Sequence, residues 1–179
     1  EKTALAEAEV EYEDIVSTQI DVAFEITASA VPELVGAYAV IWTTTPWTIP
    51  VNQALAYGPE VDYVLVAVGD KRVLLAAPLA GEAAKRYGVE LAAPLWEGKG
   101  ADLAGTIARH PMHALGGFFA EPRPLLAGDF VTTESGTGLV HMAPDHGEDD
   151  FALCKAHGIE PKFAVMGDGK YREDWGWLG

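Results

Sequence analysis

The chain has 179 residues, enough for one well-cored domain and short for two. Hydrophobic residues make up 49% and charged residues 22%, the balance of a folded globular chain, and no apolar run approaches the ~18 residues of a membrane helix. The formal net charge of −15 argues against a free-standing nucleic-acid binder, and the single cysteine, Cys154, excludes an internal disulfide and a multi-cysteine zinc site.

The chain starts Glu1-Lys2-Thr3, with no Met and no signal-peptide core, and so reads as a piece cut from a larger protein. A lone cysteine fits a reducing compartment such as the cytoplasm. From Thr18 to Ala28 the residues alternate. Ile20, Val22, Phe24 and Ile26 fall on one side, which predicts a half-buried strand. Gly36–Thr45 is β-branched and aromatic and predicts a buried strand. Pro46 then suits the first turn of a helix with Thr45 as its cap, cut short by Pro50.

Val61–Val68 and Arg72–Ala76 flank Gly69-Asp70-Lys71, a hairpin signal. Leu79–Tyr87 reads as a helix stopped by Gly88. From Val89 to Pro124, Pro and Gly punctuate short β-like pieces. Phe130–Thr133 and Gly138–Met142 flank a Gly- and Ser-rich turn. Gly147–His157 reads as a helix with Glu148, Asp149 and Asp150 in its first turn and Gly158 after its end. Phe163–Met166 and Lys170–Tyr171 flank Gly167-Asp168-Gly169, another hairpin signal. The sum predicts a single domain over 1–179, mainly β with short α-helices, folded as a closed or nearly closed β-barrel.

Two segments concentrate chemical groups. Trp42-Thr43-Thr44-Thr45-Pro46-Trp47-Thr48 places hydroxyls at a strand end beside a helix start, whose unpaired N–H groups suit a developing oxyanion. By residue type alone, Thr43 and Thr44 also fit a plain strand end, and Thr45 a plain cap. Gly136–Asp150 packs two histidines and four acids into a strand, loop and helix. Acids at a helix start are usually solvent-facing partners of the dipole, which suits Glu148 and Asp149 better than all three.

His141, Asp145, His146 and Asp149 are able to ligate a metal, yet their spacing matches no zinc or calcium motif. No metal and no cofactor are therefore expected. Ser135 lacks the G-x-S-x-G context of a hydrolase nucleophile. Cys154 and His157 share a helix face, where a lone cysteine is more often core than nucleophile. The Gly136 turn lacks a P-loop lysine.

The two segments together, Trp-Thr-Thr-Thr-Pro-Trp-Thr followed by Pro50-Val51-Asn52 and Gly-Thr-Gly-x-Val-His-x-Ala-Pro-x-His-Gly-x-Asp-Asp, resemble the signatures of isoleucyl-tRNA synthetase editing domains. Leucyl and valyl relatives typically carry Thr-Thr-Arg-Pro where this chain has Thr44-Thr45-Pro46. No His-Ile-Gly-His or Lys-Met-Ser-Lys-Ser is present, so the resemblance implies an editing module that does not itself charge tRNA.

The resemblance implies a hydrolase for valine attached to the isoleucine tRNA, with valyl-adenylate as a second substrate. A pocket gains only about 1–3 kcal/mol from one methylene, so a second, smaller pocket completes the selection. The partner would be the 3′-terminal aminoacyl-adenosine, with the tRNA held mainly by the rest of the parent synthetase and no membrane involved.

By the same resemblance, Asp150 holds the α-ammonium group and stays readily ionised at its helix start. His141 excludes isoleucine first and transfers protons second. Thr43, Thr44 and Thr45 bind the ester carbonyl, the ribose or the attacking water, with Thr45 closest to the chemistry. Trp47, Thr48 and Gly138 complete the substrate pocket. A non-catalytic β-module that binds aminoacyl-adenosine or a small amine is the alternative.

Overall fold

The computed structural model describes residues 16–175. The terminal residues Glu1-Lys2-Thr3 lie outside them, as do the two ends of the single domain expected over 1–179. Nine strands dominate: β1 (Ile20–Ala28), β2 (Tyr38–Thr43), β3 (Ala54–Tyr57), β4 (Asp62–Val68), β5 (Lys71–Ala76), β6 (Trp96–Lys99), β7 (Ile107–Arg109), β8 (Pro122–Ala127) and β9 (Leu139–Met142). Two α-helices accompany them, α1 (Ala80–Tyr87) and α2 (Glu148–Ala156). The mainly β class read from the sequence is the observed one.

The strands form one sheet in the order β6-β4-β5-β2-β1-β7-β8-β3-β9. The barrel does not close. β2 pairs antiparallel with β1 along its length, but parallel with β5 only at Tyr38 and Ala39. β9 runs close to β2 without a ladder and stays an edge strand beside β3. One bond, Ala76 N–H to Thr137 O at 2.7 Å, ties the end of β5 to the turn before β9. Inside the curl lies the main core, where Phe24, Ile26, Ile41, Leu55, Leu65 and Leu74 are fully buried. The inward set of β1 is the expected period-2 set, with Phe24 and Ile26 buried deepest.

The Gly69-Asp70 hairpin forms between β4 and β5, with Gly69 at φ +63°. α1 stops at Gly88, whose φ of +67° is open to glycine without a Cβ penalty. Several expectations fail. No strand forms at 130–133. Phe130 and Val131 instead pack with Leu126, Met142 and Cys154, so side-chain burial replaces a ladder there. The second hairpin shrinks to one bridge, Val165 to Tyr171.

The element after β2 is a 3-10 turn, Pro46–Val51, rather than an α-helix, and Thr45 gives it no side-chain cap. Pro50 does not end this turn but sits inside it. Having no N–H, Pro50 leaves the Trp47 carbonyl without its i+3 donor. The Tyr171 hydroxyl donates to that carbonyl instead.

Candidate active site

β2 delivers Thr43 and Thr44 to the rim of a cleft of about 290 Å³, and the 3-10 turn adds Trp47 and Thr48. β9 and the loop after it supply Val140, His141 and Ala143 from the facing wall, and α2 adds Asp150. Thr43, Thr44, Thr45, Trp47, Thr48, His141 and Asp150 thus meet in one hollow, although the two groups lie about a hundred positions apart.

Gly138 does not line this hollow. It lies behind, at φ +77°, where a Cβ would come 2.3 Å from the Ala76 Cβ. Its carbonyl accepts a 2.6 Å hydrogen bond from the Tyr63 hydroxyl. Both the backbone conformation and the crowding forbid a side chain, so Gly138→Ala is expected to lose roughly 2–4 kcal/mol of stability in urea titration. An unchanged midpoint would contradict this placement.

Proton positions in the cleft follow from the partners. The Thr48 hydroxyl donates to Thr45 O at 2.8 Å. Its oxygen must then accept from His141 Nε2–H, 2.9 Å away. On the other side of the ring, Asn52 Nδ2 donates to His141 Nδ1 at 3.3 Å and to Ala54 O at 2.9 Å. Both ring nitrogens are occupied, and the tautomer is fixed as Nε2–H. Burial pushes His141 down to about 4, with the neighbouring imidazoles of His110 and His146 acting in the same direction. At neutral pH it is an uncharged wall rather than a poised base.

The backbone donors expected at the helix start are mostly used internally. Thr45 N–H bonds Thr43 Oγ1 at 3.0 Å, Thr48 N–H bonds Thr45 O, and Pro46 has none. Hydroxyls remain. Thr44 and Thr45 are exposed to the cleft, and the Thr45 hydroxyl has only long neighbours, Thr43 Oγ1 at 3.3 Å and Thr48 Oγ1 at 3.5 Å.

Asp150 is half-buried, and its Oδ2 accepts a 2.8 Å bond from Ala143 N–H. Ready ionisation was expected from the helix dipole. The structure reverses that direction: burial raises its pKa, only partly offset by the Ala143 N–H, the chain's own amide and the neighbouring His146 imidazole. Among the described residues no Lys, Arg or His lies within ion-pair reach of this carboxylate. A Cβ on Gly147 would come 2.8 Å from Asp150 Oδ1, so glycine leaves the space the carboxylate needs.

Glu148 and Asp149 are exposed, as dipole partners in solvent would be. His146 approaches Asp145 at 3.7 Å and meets Trp47 edge to face at 5.0 Å. Cys154 is fully buried and its thiol is pushed up to about 11, an inert core residue. Among the described residues no group of three His, Cys, Asp or Glu is placed to hold a metal.

A larger groove of about 640 Å³ runs between α2 and the loops around Gly58 and Phe130. It is apolar with acidic rims and holds no hydroxyl or imidazole group, so chemistry rather than volume selects the smaller cleft. Sequence reading missed Asn52 as the ring's orienting partner, and Trp42, Val140, Ala143 and His146 as walls. Asn52 stood in the quoted Pro-x-Asn, but its bond to a histidine 89 positions away has no local signal.

No family model matches the chain. It is 67% identical to the isoleucine-tRNA ligase of Zymomonas mobilis, over 100% of this chain and 19% of that protein. It is 47% identical to the isoleucine-tRNA ligase of Gluconobacter oxydans, over 96% of this chain and 19% of that protein. The chain thus spans about a fifth of the length of these relatives. The crystal structure of GlLeuRS-CP1 shares the fold, with a TM-score of 0.56 at 20% identity, over 69% of this chain and 50% of that one. Matched along its whole length to one segment of these enzymes, the chain belongs to the isoleucine-tRNA ligase family.

Proposed function

We propose that this chain, 1–179 as one unit, is an editing hydrolase that removes valine from mischarged isoleucine tRNA, with valyl-adenylate as a second substrate. One observation carries the reading: a half-buried carboxylate, Asp150, which makes no ion pair among the described residues, lines the same small cleft as a row of threonine hydroxyls. An α-ammonium group would supply the cation that Asp150 lacks, through a charge-assisted hydrogen bond. Thr45, with exposed and loosely engaged hydroxyl valences, would place the attacking water, and Thr43 and Thr44 the ester carbonyl or ribose.

His141 would act as the wall that excludes isoleucine. Proton transfer through it is not proposed, because Asn52 occupies its lone pair. The vicinal ribose hydroxyl is a candidate to assist the water. No cofactor or metal takes part. The rest of the parent enzyme would hold the tRNA, consistent with the −15 charge here. Among the described residues no helix is long and apolar enough to cross a membrane, and the proposed setting is the cytoplasm.

The test is release of valine from valyl-tRNA of the isoleucine type, expected to exceed release of isoleucine by at least about tenfold. The occupied His141 nitrogens favour one rival, a module that binds aminoacyl-adenosine without cleaving it. Calorimetry with a non-hydrolysable valyl-adenosine analogue, showing binding while the ester stays intact even in the parent enzyme, would establish that rival.

A further inference from the structure

We propose that His110, outside the cleft, is a positioning residue that holds the Pro46–Val51 turn at the height where Thr48 meets His141. The inference rests on the hydrolase reading only for its rate measurement. His110 is fully buried, after β7, between Phe24 and Phe119, with ring centroids 5.8 Å and 5.0 Å away. Its Nδ1 accepts the Met112 N–H at 3.0 Å. The proton must therefore sit on Nε2, which donates to Ile49 O at 2.8 Å. Burial also holds the ring down to about 4, so this donor is neutral at physiological pH.

The Ile49 carbonyl is a junction. It also accepts the Asn52 N–H at 3.0 Å, and the Asn52 side chain donates to His141. One oxygen thus holds both the turn and the residue that fixes the His141 tautomer. A 3-10 turn interrupted by Pro50 has few bonds of its own to keep that carbonyl oriented. Without the imidazole donor, the Ile49 carbonyl keeps only the Asn52 N–H of its two hydrogen bonds, and the loosened peptide shifts Thr48 and Asn52.

The experiment compares His110→Gln, whose amide nitrogen reaches the position of Nε2, with His110→Phe, which fills the space without a donor. Val66→Ala, in a separate core cluster, controls for stability loss alone. In valyl-ester hydrolysis the Phe variant should lose about tenfold in kcat with KM within about twofold, and the Gln variant should stay within about threefold. The Val66 variant should melt earlier yet keep its kcat.

Nitrogen-15 spectra of His141 give a second readout that needs no turnover. The Nε2–H signature should persist in the Gln variant and broaden or shift in the Phe variant. If neither the wild-type chain nor its parent enzyme hydrolyses the ester, the hydrolase reading fails, and the His141 spectra still decide the positioning role. An unchanged kcat and His141 signature in the Phe variant, or equal losses with Gln and Phe, would overturn the proposal. Should the Phe variant not fold, His110→Asn takes its place, since its amide stops at the Nδ1 position and cannot reach Ile49.

Discussion

Asp150→Asn should cut valyl-ester kcat/KM by roughly two to three orders of magnitude, about 3–4 kcal/mol, while the protein stays folded. Asparagine keeps an oxygen to accept the Ala143 N–H, so the start of α2 and the wall of the cleft stay in place. Only the charge that would meet the substrate's ammonium group is gone. Burial raises the Asp150 pKa in the folded state, so the native fold favours the proton there, and stability grows as pH falls through that raised value. At neutral pH the ionised carboxylate therefore works against folding. The Asn variant should melt no earlier than wild type, and a later melt is the expected direction. Asp150→Ala should lose the same activity and, with the Ala143 amide left bare, about 1 kcal/mol of stability besides. Deacylation and thermal melting of both variants check this. A wild-type kcat/KM in the Asn variant would remove Asp150 from the site.

The second large effect is loss of stability in mild acid. His110 and His141 are both held near 4 by burial, against an ordinary value of about 6.5 in the unfolded chain. Their folded values are depressed, so the unfolded chain binds protons first. The two contributions are fully present above pH 6.5 and disappear as pH falls toward 4, at about 3 kcal/mol each. Asp145 and Asp150, both raised, push the other way, with an effect that develops chiefly in the range where carboxylates titrate. A domain stable by only about 5–15 kcal/mol cannot absorb the histidine loss easily. Denaturant midpoints measured from pH 7.5 to 4.5 should fall steeply. His141→Gln should flatten the curve by close to one proton. Equal midpoints at pH 7.5 and 5 would show that these rings are not buried as neutral groups.

Much of the fold could be read locally, and the failures share a cause. Phe24 and Ile26 announce their strand by alternation, and Gly69-Asp70 and Gly88 announce a hairpin and a helix stop by backbone freedom. The sheet stays open where near-closure is expected, because whether β9 forms a ladder with β2 is a long-range fact that residue type does not carry. Seven of the eight candidate site residues share the cleft. The eighth, Gly138, looked like part of a substrate loop because glycines beside a histidine look alike whether they admit a ligand or a neighbouring strand. The direction of the Asp150 shift runs against the expectation because a helix dipole is visible in sequence and desolvation is not. Asn52 and His110 act through contacts 89 and 61 positions away, beyond any local pattern.

The carbonyl that Pro50 strands at Trp47 is met by a hydroxyl from Tyr171, 124 positions later. During synthesis on the ribosome, every threonine of the cleft, its histidine and its aspartate emerge before the group that completes the turn. A nascent chain halted short of Tyr171 would hold every residue of the cleft and lack that hydroxyl, so the Pro46–Val51 turn gains its last partner only after the whole cleft has been made.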